Sequence, residues 1–375
     1  MMMPLAGFSL AIWLVLEFFR GGFWRADQRL LESGRQSYRP GVIAIIPARN
    51  EAPTIGRTVA SLMRQNYAGQ IHVIVVDDGS DDGTADAAGD WQDLRIVSGS
   101  LLPVGWTGKL WAIHQGLTQA NLHLPDAEYI LMTDADIEHG PDNIAQLVNK
   151  AESENRHLVS LMVKLRAQSF WEKFLIPAFV FFFQKLYPFP WVNDPVSPTA
   201  AAAGGCMLIR RETLRLAGGV EPIRDQLIDD CAMARLIKVH GAIWLGLTDK
   251  TCSLRAYDTL GDIWDMVART AFVQLDYSFI SLIGTLAGMV IVYLVPPTAV
   301  FYGLASGHSD IALTGGVSWA IMAFSYWPTL KLYGEPMWRA AWLPFAALFF
   351  SMMTISSSLR HLQGKGGGWK GRHYS

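Results

Sequence analysis

Four long stretches of this chain are apolar with almost no interruption. Between the first and the second lies a region whose apolar residues come instead in short runs and helical spacings. Residues 5–19 are broken only by Glu17 and are followed by Arg20, Arg25 and Arg29, the pattern of an amino-terminal anchor with the next domain in the cytoplasm. No basic residue precedes this stretch and no clear small-residue cleavage site follows it, which argues against a removed signal peptide. Residues 279–305, 311–330 and 340–359 carry no charge, and each is long enough to cross a hydrocarbon core of about 30 Å. If all three cross, a tail bearing Arg360, Lys365, Lys370 and Arg372 lands outside, against the positive-inside tendency. The expectation is therefore a cytoplasmic tail with one late segment that does not fully span.

The middle region reads as one continuous α/β pattern. Residues 42–47 form a short apolar run suited to a buried parallel strand, residues 54–65 have helical spacing through Ile55, Val59 and Leu62, and residues 71–76 form the next strand. A helix after Gly83-Thr84, a strand at 129–132 and a helix at 142–151 continue the alternation, with an acidic run directly after two of the strands. Residues 174–187 are apolar but short and carry Lys185; they fit a helix lying in the membrane interface and a buried core segment equally well. The domains expected are an anchor at 1–24, a catalytic domain at 40–275 with an interface helix at 174–192, membrane segments at 276–360 and a basic tail at 361–375.

Composition narrows the classes. With 51% hydrophobic and 17% charged residues, part of the 375-residue chain belongs in lipid. A net charge of -2 gives a nucleic-acid partner no electrostatic support. Cys206, Cys231 and Cys252 are odd in number and lack metal-ligand spacing, so neither a disulfide framework nor a zinc cluster is indicated. The late segments hold no interior charge to mark a translocation path, which disfavours a transporter.

The chemistry sits at the strand ends. Asp134-Ala135-Asp136 places two carboxylates at i and i+2, which on an extended segment face the same way and suit one metal shared with two phosphate oxygens. In Asp77-Asp78-Gly79-Ser80, Gly79 permits a tight loop and Asp78 offers acceptors to a nucleotide; an Asp-Gly turn is the plainer explanation of the run taken alone. Pro47-Ala48-Arg49-Asn50-Glu51 puts polar groups where open α/β sheets bind ligands, a position a simple turn before a helix also favours. Gly105-Trp106-Thr107-Gly108-Lys109 supplies a glycine turn with one cation for a diphosphate, or an exposed loop lysine. Asp229-Asp230 precedes a helical pattern and serves either as a helix cap or as the general base of a sugar transfer. Ala200 to Ala203 with Gly204-Gly205 lets a substrate approach the backbone closely, or makes a packed turn.

In this order the motifs resemble the family 2 glycosyltransferases of GT-A fold over about residues 40–275. Gly105 to Ala112 and the tail Gly368-Trp369-Lys370-Gly371-Arg372 are similar to the hopene-associated glycosyltransferases of bacteria. The resemblance implies a Rossmann-like mixed sheet and an inverting transfer of one sugar from a UDP-sugar, with Mg²⁺ or Mn²⁺, to a lipid hydroxyl of hopanoid type at the inner membrane. Carotenoid or polyprenyl phosphate acceptors, or a non-catalytic nucleotide-sugar-binding protein, are the alternatives. It implies that Pro47, Arg49, Glu51, Asp78, Gly79, Lys109 and Asp134 hold the donor, that Asp134 and Asp136 hold the metal, and that Asp230 is the base. Polymer-making members carry Gln-x-x-Arg-Trp where this chain has Met266-Val267-Ala268-Arg269-Thr270, which favours a single transfer.

Overall fold

The computed structural model describes residues 2–30, 38–364, 368–369 and 372–373; Lys365, Lys370 and Gly371 of the tail lie outside the described residues. Helix α1, Met2–Phe19, opens the chain. The α/β region then runs β1 Val42–Ala48, α2 Ala52–Met63, β2 Ile71–Asp77, α3 Thr84–Ala87, β3 Leu94–Ser98, α4 Gly108–His123, β4 Tyr129–Met132, β5 Ile137–Glu138 and α5 Asn143–Ser153. It continues with β6 Leu158–Lys164, α6 Phe170–Leu186, α7 Phe189–Asn193, β7 Met207–Arg210, α8 Arg211–Leu216, α9 Asp229–Lys238, β8 Ile243–Ser253 and α10 Leu260–Ala268. Helices α11 Phe279–Met289, α12 Val295–Ser306, α13 Ser309–Leu332 and α14 Leu343–Leu362 complete it.

Eight strands form one mixed sheet in the order β3-β2-β1-β4-β7-β6-β8-β5. Strands β2, β1 and β4 are mutually parallel, so their carboxyl ends meet at one edge and the acidic runs that follow them become neighbours. All seven residues of β1 are buried, which explains why its sequence is a continuous apolar run. Its alternate side chains serve two cores: Val42, Ala44 and Ile46 pack with Ile55, Val59 and Leu147, while Ile43 and Ile45 pack with Leu110 and Ile113 of α4. Helix α4 reaches the sheet because Gly116 has no side chain; a Cβ there would stand 2.5 Å from Ile45 Cγ2.

The second core continues without a break through α6 into the late helices, joining Phe181 to Tyr293, Met322 and Tyr326. The 174–192 segment is thus two helices, α6 and α7, and α6 is buried on its Leu175, Ile176, Phe181 and Gln184 side, with Gln184 Nε2 donating to Thr329 Oγ1 at 3.2 Å. Helix α1 docks on the same bundle. The segment Val290–Leu294 is π-helical and leads into Pro296-Pro297, so Val292 O loses the N–H that residue 296 of a regular helix would give it. Trp13 Nε1 replaces that donor at 2.7 Å, and its ring meets Tyr293 edge-on at 5.7 Å. Glu17, the one charge in the anchor, accepts from Ser325 Oγ at 2.6 Å.

Among the described residues, three helical stretches are long and apolar enough to cross a membrane: Met2–Phe19, Phe279–Ser306 and Met337–Leu362. The expectation of about three late spans is therefore corrected to two by length and composition. Helix α13 is 24 residues long but buries Ser318, Ser325 and Thr329, which lower its apolar character. Its end returns to the sheet domain, where Lys164 stands over the Tyr333 ring at 5.7 Å. Residues 337–342 then double back along it, with Trp319 Nε1 donating to Ala341 O at 3.1 Å. Helix α14 also ends against the domain: Arg360 pairs with Asp265 of α10 at 2.6 Å, and Ser357 Oγ accepts from Phe272 N at 3.0 Å.

Candidate active site

At the carboxyl edge of the sheet lies a cavity of about 510 Å³. Pro47, Glu51, Lys109, Asp134, Asp136 and Asp230 all line it. Asp134 and Asp136 occupy the turn between β4 and β5 instead of an extended strand end, yet both reach the cavity because the turn wraps its edge. Arg49, Asp78 and Gly79 do not line it. They stand one strand over, where Arg49 Nη1 donates to the backbone carbonyls of Asp78 and Gly79, the latter at 3.3 Å, and clamps the β2 loop to the β1 loop. Asn50 N donates to Ser80 Oγ at 3.0 Å and Glu51 N to Thr84 Oγ1 at 2.8 Å, so Glu51 is held at the cavity rim by the start of α3 and its neighbour by the Asp77–Ser80 turn.

Two cations order the carboxylates. Lys109, in the first turn of α4 and not in a loop, pairs with Asp134 at 2.9 Å and Asp229 at 3.0 Å. Burial alone would lower its pKa, but the charges of Asp134 and Asp229 raise it, and the amine stays protonated. Arg255 bridges Asp136 through Nε at 2.7 Å and Glu51 through Nη2 at 2.6 Å. Burial raises the Asp136 pKa, opposed by the Arg255 charge and reinforced by Asp134 and Glu51. Behind this turn, His139 is pushed down to about 3 by burial and lies 3.0 Å from Thr133 Oγ1 and 2.9 Å from Asn143 Nδ2, a neutral buttress.

Asp230 differs from its neighbours. Helix α9 takes Ile228 as its N-cap, so Asp230 is not the capping residue. Its Oδ2 accepts from Gly204 N at 3.0 Å and its Oδ1 from Cys231 N at 2.7 Å. Burial and the Asp229 charge push its pKa up to about 6 against the pull of Lys109. A half-buried carboxylate of that basicity, facing a cavity, suits proton abstraction at neutral pH. Gly204 permits the arrangement, since a Cβ there would meet Lys109 Nζ at 3.2 Å and Asp230 Oδ2 at 3.6 Å.

Among the described residues no group of three or more His, Cys, Asp and Glu side chains converges as a metal cage. A divalent cation shared with a diphosphate needs only one or two protein carboxylates, and Asp134 and Asp136 can supply them. The Arg255 guanidinium standing on Asp136 marks that carboxylate as a seat for positive charge, so the donor set fits such an ion. Sequence reasoning missed Arg255 and the ion pair of Asp229. Arg255 follows β8, a strand whose carboxyl end shares this neighbourhood but was not itself read from the residue pattern.

Apolar side chains also line the cavity. Met162, Leu165, Phe179, Phe183 and Met266 line it, and Phe179 stacks on Phe350 of α14 at 6.5 Å between ring centroids.

Comparison with known proteins agrees with this architecture. Residues 43–216 match the model of glycosyl transferase family 2, a stretch that ends before Asp229, Asp230 and Arg255. An N-acetylglucosaminyltransferase of Rhizobium leguminosarum bv. viciae is 34% identical over 30% of this chain and 25% of its own length. An uncharacterized protein of Methanocaldococcus jannaschii is 33% identical over 32% of this chain and 50% of its own length. The chain thus spans half or less of these curated relatives. A mannosyltransferase of Pyrobaculum calidifontis, solved with GDP-Man and Mn²⁺, superposes over 96% of this chain and 99% of its own with a TM-score of 0.56 and 19% identity, which establishes a common fold. Residues 43–216 carry a glycosyltransferase family 2 domain, in a GT-A fold joined to helices long and apolar enough to cross a membrane.

Proposed function

We propose that the chain transfers one sugar, with inversion, from a nucleotide sugar to a hydroxyl of a membrane lipid. The observation that carries this reading is the cavity itself. It is lined both by Lys109, Asp134, Asp136 and Asp230 and by Phe179 and Phe183 of a helix packed on the late apolar helices. A lipid hydroxyl can reach Asp230 from there while its apolar body stays among aromatic rings.

Asp230 takes the acceptor proton as the oxygen attacks the anomeric carbon on the face opposite the leaving diphosphate. Lys109 and Arg255 stand ready to neutralise that diphosphate. A divalent cation bound through Asp134 and Asp136 would supply further neutralisation of the leaving group. A single base suffices, because no separate acid has to protonate a diphosphate. UDP is the nucleotide we propose, following the resemblance of the Glu51 and Asp78 motifs; the GDP-Man of the Pyrobaculum mannosyltransferase makes GDP-sugars the necessary comparison. A hopanoid or other polycyclic alcohol is the acceptor class proposed, on the resemblance of the Gly105 to Ala112 segment.

The proposed topology places the catalytic domain and the tail on the cytoplasmic side. Helices α13 and α14 both end against the domain, and residues 337–342 turn back into the bundle before α14 begins.

Purified full-length protein incubated with labelled UDP- and GDP-sugars, Mn²⁺ or Mg²⁺, and hopanoid or total bacterial lipid tests the activity. Label entering the lipid phase only with metal present is the expected result. Donor hydrolysis without lipid labelling, across all acceptors, would refute the lipid reading.

A further inference from the structure

Of the three cationic side chains that line the cavity, Lys109, Arg255 and Arg269, the first two are each paired with carboxylates. Lys109 spans Asp134 and Asp229, and Arg255 spans Asp136 and Glu51. The Asp136 and Glu51 side chains are only 8% and 10% exposed, and the guanidinium supplies both with a close counter-charge. The Arg255 side chain is itself 35% exposed and lines the cavity, so it can turn towards a ligand without unpacking the core.

This arrangement bears on how a donor enters. A dication seated on Asp136 would stand within a few ångströms of Arg255, and two positive groups in a half-dry site repel strongly. A diphosphate arriving alone would meet the carboxylates of Glu51, Asp134, Asp136 and Asp229, which repel it in turn. When metal and diphosphate arrive together, the metal takes Asp136 and the freed guanidinium takes phosphate oxygens, for which its planar fork is well shaped. Charge is then matched at every position.

Resting on the donor-site reading above, we propose that Arg255 and the divalent cation compete for Asp136, so that metal and nucleoside diphosphate bind as a coupled pair and Arg255 moves from carboxylate to phosphate as they do. Coupling is reciprocal: the nucleotide tightens the metal by the same factor as the metal tightens the nucleotide. No acceptor and no sugar transfer is needed to observe it.

The test is Mn²⁺ binding to the purified full-length protein, followed by the electron paramagnetic resonance of free Mn²⁺, with no nucleotide, with UDP and with GDP. Wild-type protein should bind Mn²⁺ roughly tenfold or more tightly when the preferred nucleotide is present, a coupling of ordinary size. Arg255→Gln removes the competitor and the phosphate ligand together. Its affinity for Mn²⁺ alone should rise several-fold, and the effect of nucleotide should shrink towards none. Arg255→Lys keeps the charge without the fork and should fall between; it carries the test if the glutamine variant does not fold. Unchanged or weaker binding of Mn²⁺ alone to Arg255→Gln, with nucleotide coupling intact, overturns the competition while leaving the donor site standing. Wild-type protein that binds Mn²⁺ with neither nucleotide overturns the donor-site reading and this proposal with it.

Discussion

Asp230→Asn separates chemistry from folding with unusual clarity. A rise of the Asp230 pKa from 3.8 to about 6 corresponds to about 3 kcal/mol of native-state strain at neutral pH, at about 1.4 kcal/mol per pH unit. The carboxylate is half-buried and not sealed, so solvent screening reduces this to about 1–2 kcal/mol. Asparagine removes that strain but offers one acceptor where the carboxylate offers two. Either Gly204 N or Cys231 N then loses its partner, at a cost of about 1–3 kcal/mol. The two effects oppose each other, and the melting temperature should move little. Transfer to lipid should fall by about 10²–10⁴, the usual contribution of a positioned base, while metal-dependent nucleotide binding persists. In the wild type, transfer should rise about tenfold per pH unit below 6 and level off above it, since the base must be ionised. The stability sign is the reverse of an ordinary carboxylate. Because the folded pKa is raised, wild-type protein loses stability relative to Asp230→Asn as the pH climbs from 3.8 to about 6. A folded variant retaining transfer within tenfold of wild type, or a pH profile flat through 6, would remove Asp230 from the role of base.

Three other substitutions probe what surrounds it. Lys109→Met leaves Asp134 and Asp229 without their shared cation and should cost about 2–4 kcal/mol in thermal or denaturant unfolding, with Mn²⁺ restoring more stability to the variant than to wild type. Gly204→Ala puts a methyl group 3.2 Å from Lys109 Nζ; the lysine end can move, so stability should change by under about 1 kcal/mol while transfer drops roughly tenfold or more in a steady-state assay. Trp13→Phe keeps a ring near Tyr293 but strands Val292 O, and should lower unfolding stability in detergent by about 1–3 kcal/mol without altering nucleotide affinity.

What could be read from the residues alone follows from how each element is buried. Strands β1, β2 and β4 are apolar runs that stop abruptly at polar residues, and that boundary is the sheet edge where ligands bind. Helix α4 was hidden because its buried positions, Gly108, Leu110, Ala112, Ile113, Gly116 and Ala120, include two alanines and two glycines instead of a clear apolar stripe. Lys109 consequently looked like a loop residue. The Arg255 bridge was beyond reach for another reason: its carboxylate partners lie 119 and 204 positions away, and nothing local distinguishes it from a surface arginine. The late helices were legible as apolar stretches, but their paths were not, since α13 hides its polar side chains against α1 and α6.

The connection between membrane helices and chemistry runs through Glu172. It is fully buried at the start of α6, where it completes a capping box with Ser169. Its remaining acceptor capacity is spent outside the helix: Oε1 takes the N–H of Tyr257 at 2.8 Å and pairs with Arg166 at 3.0 Å, and Arg166 in turn holds Asp258 at 2.7 Å. Residues 257 and 258 follow directly on the Arg255 loop, and α10 begins at Leu260 with its far end tied to α14 through Asp265 and Arg360. Glu172 therefore ties α6, which carries the aromatic lining residues Phe179 and Phe183, and the loop that carries Arg255 to one point. Any displacement of α6 on the late helices must also load this buried carboxylate network, because close-packed interiors transmit displacement and do not absorb it. The aromatic lining from α6 and the Arg255 loop are in this way mechanically one structure, and the sheet domain depends on the late helices for its shape.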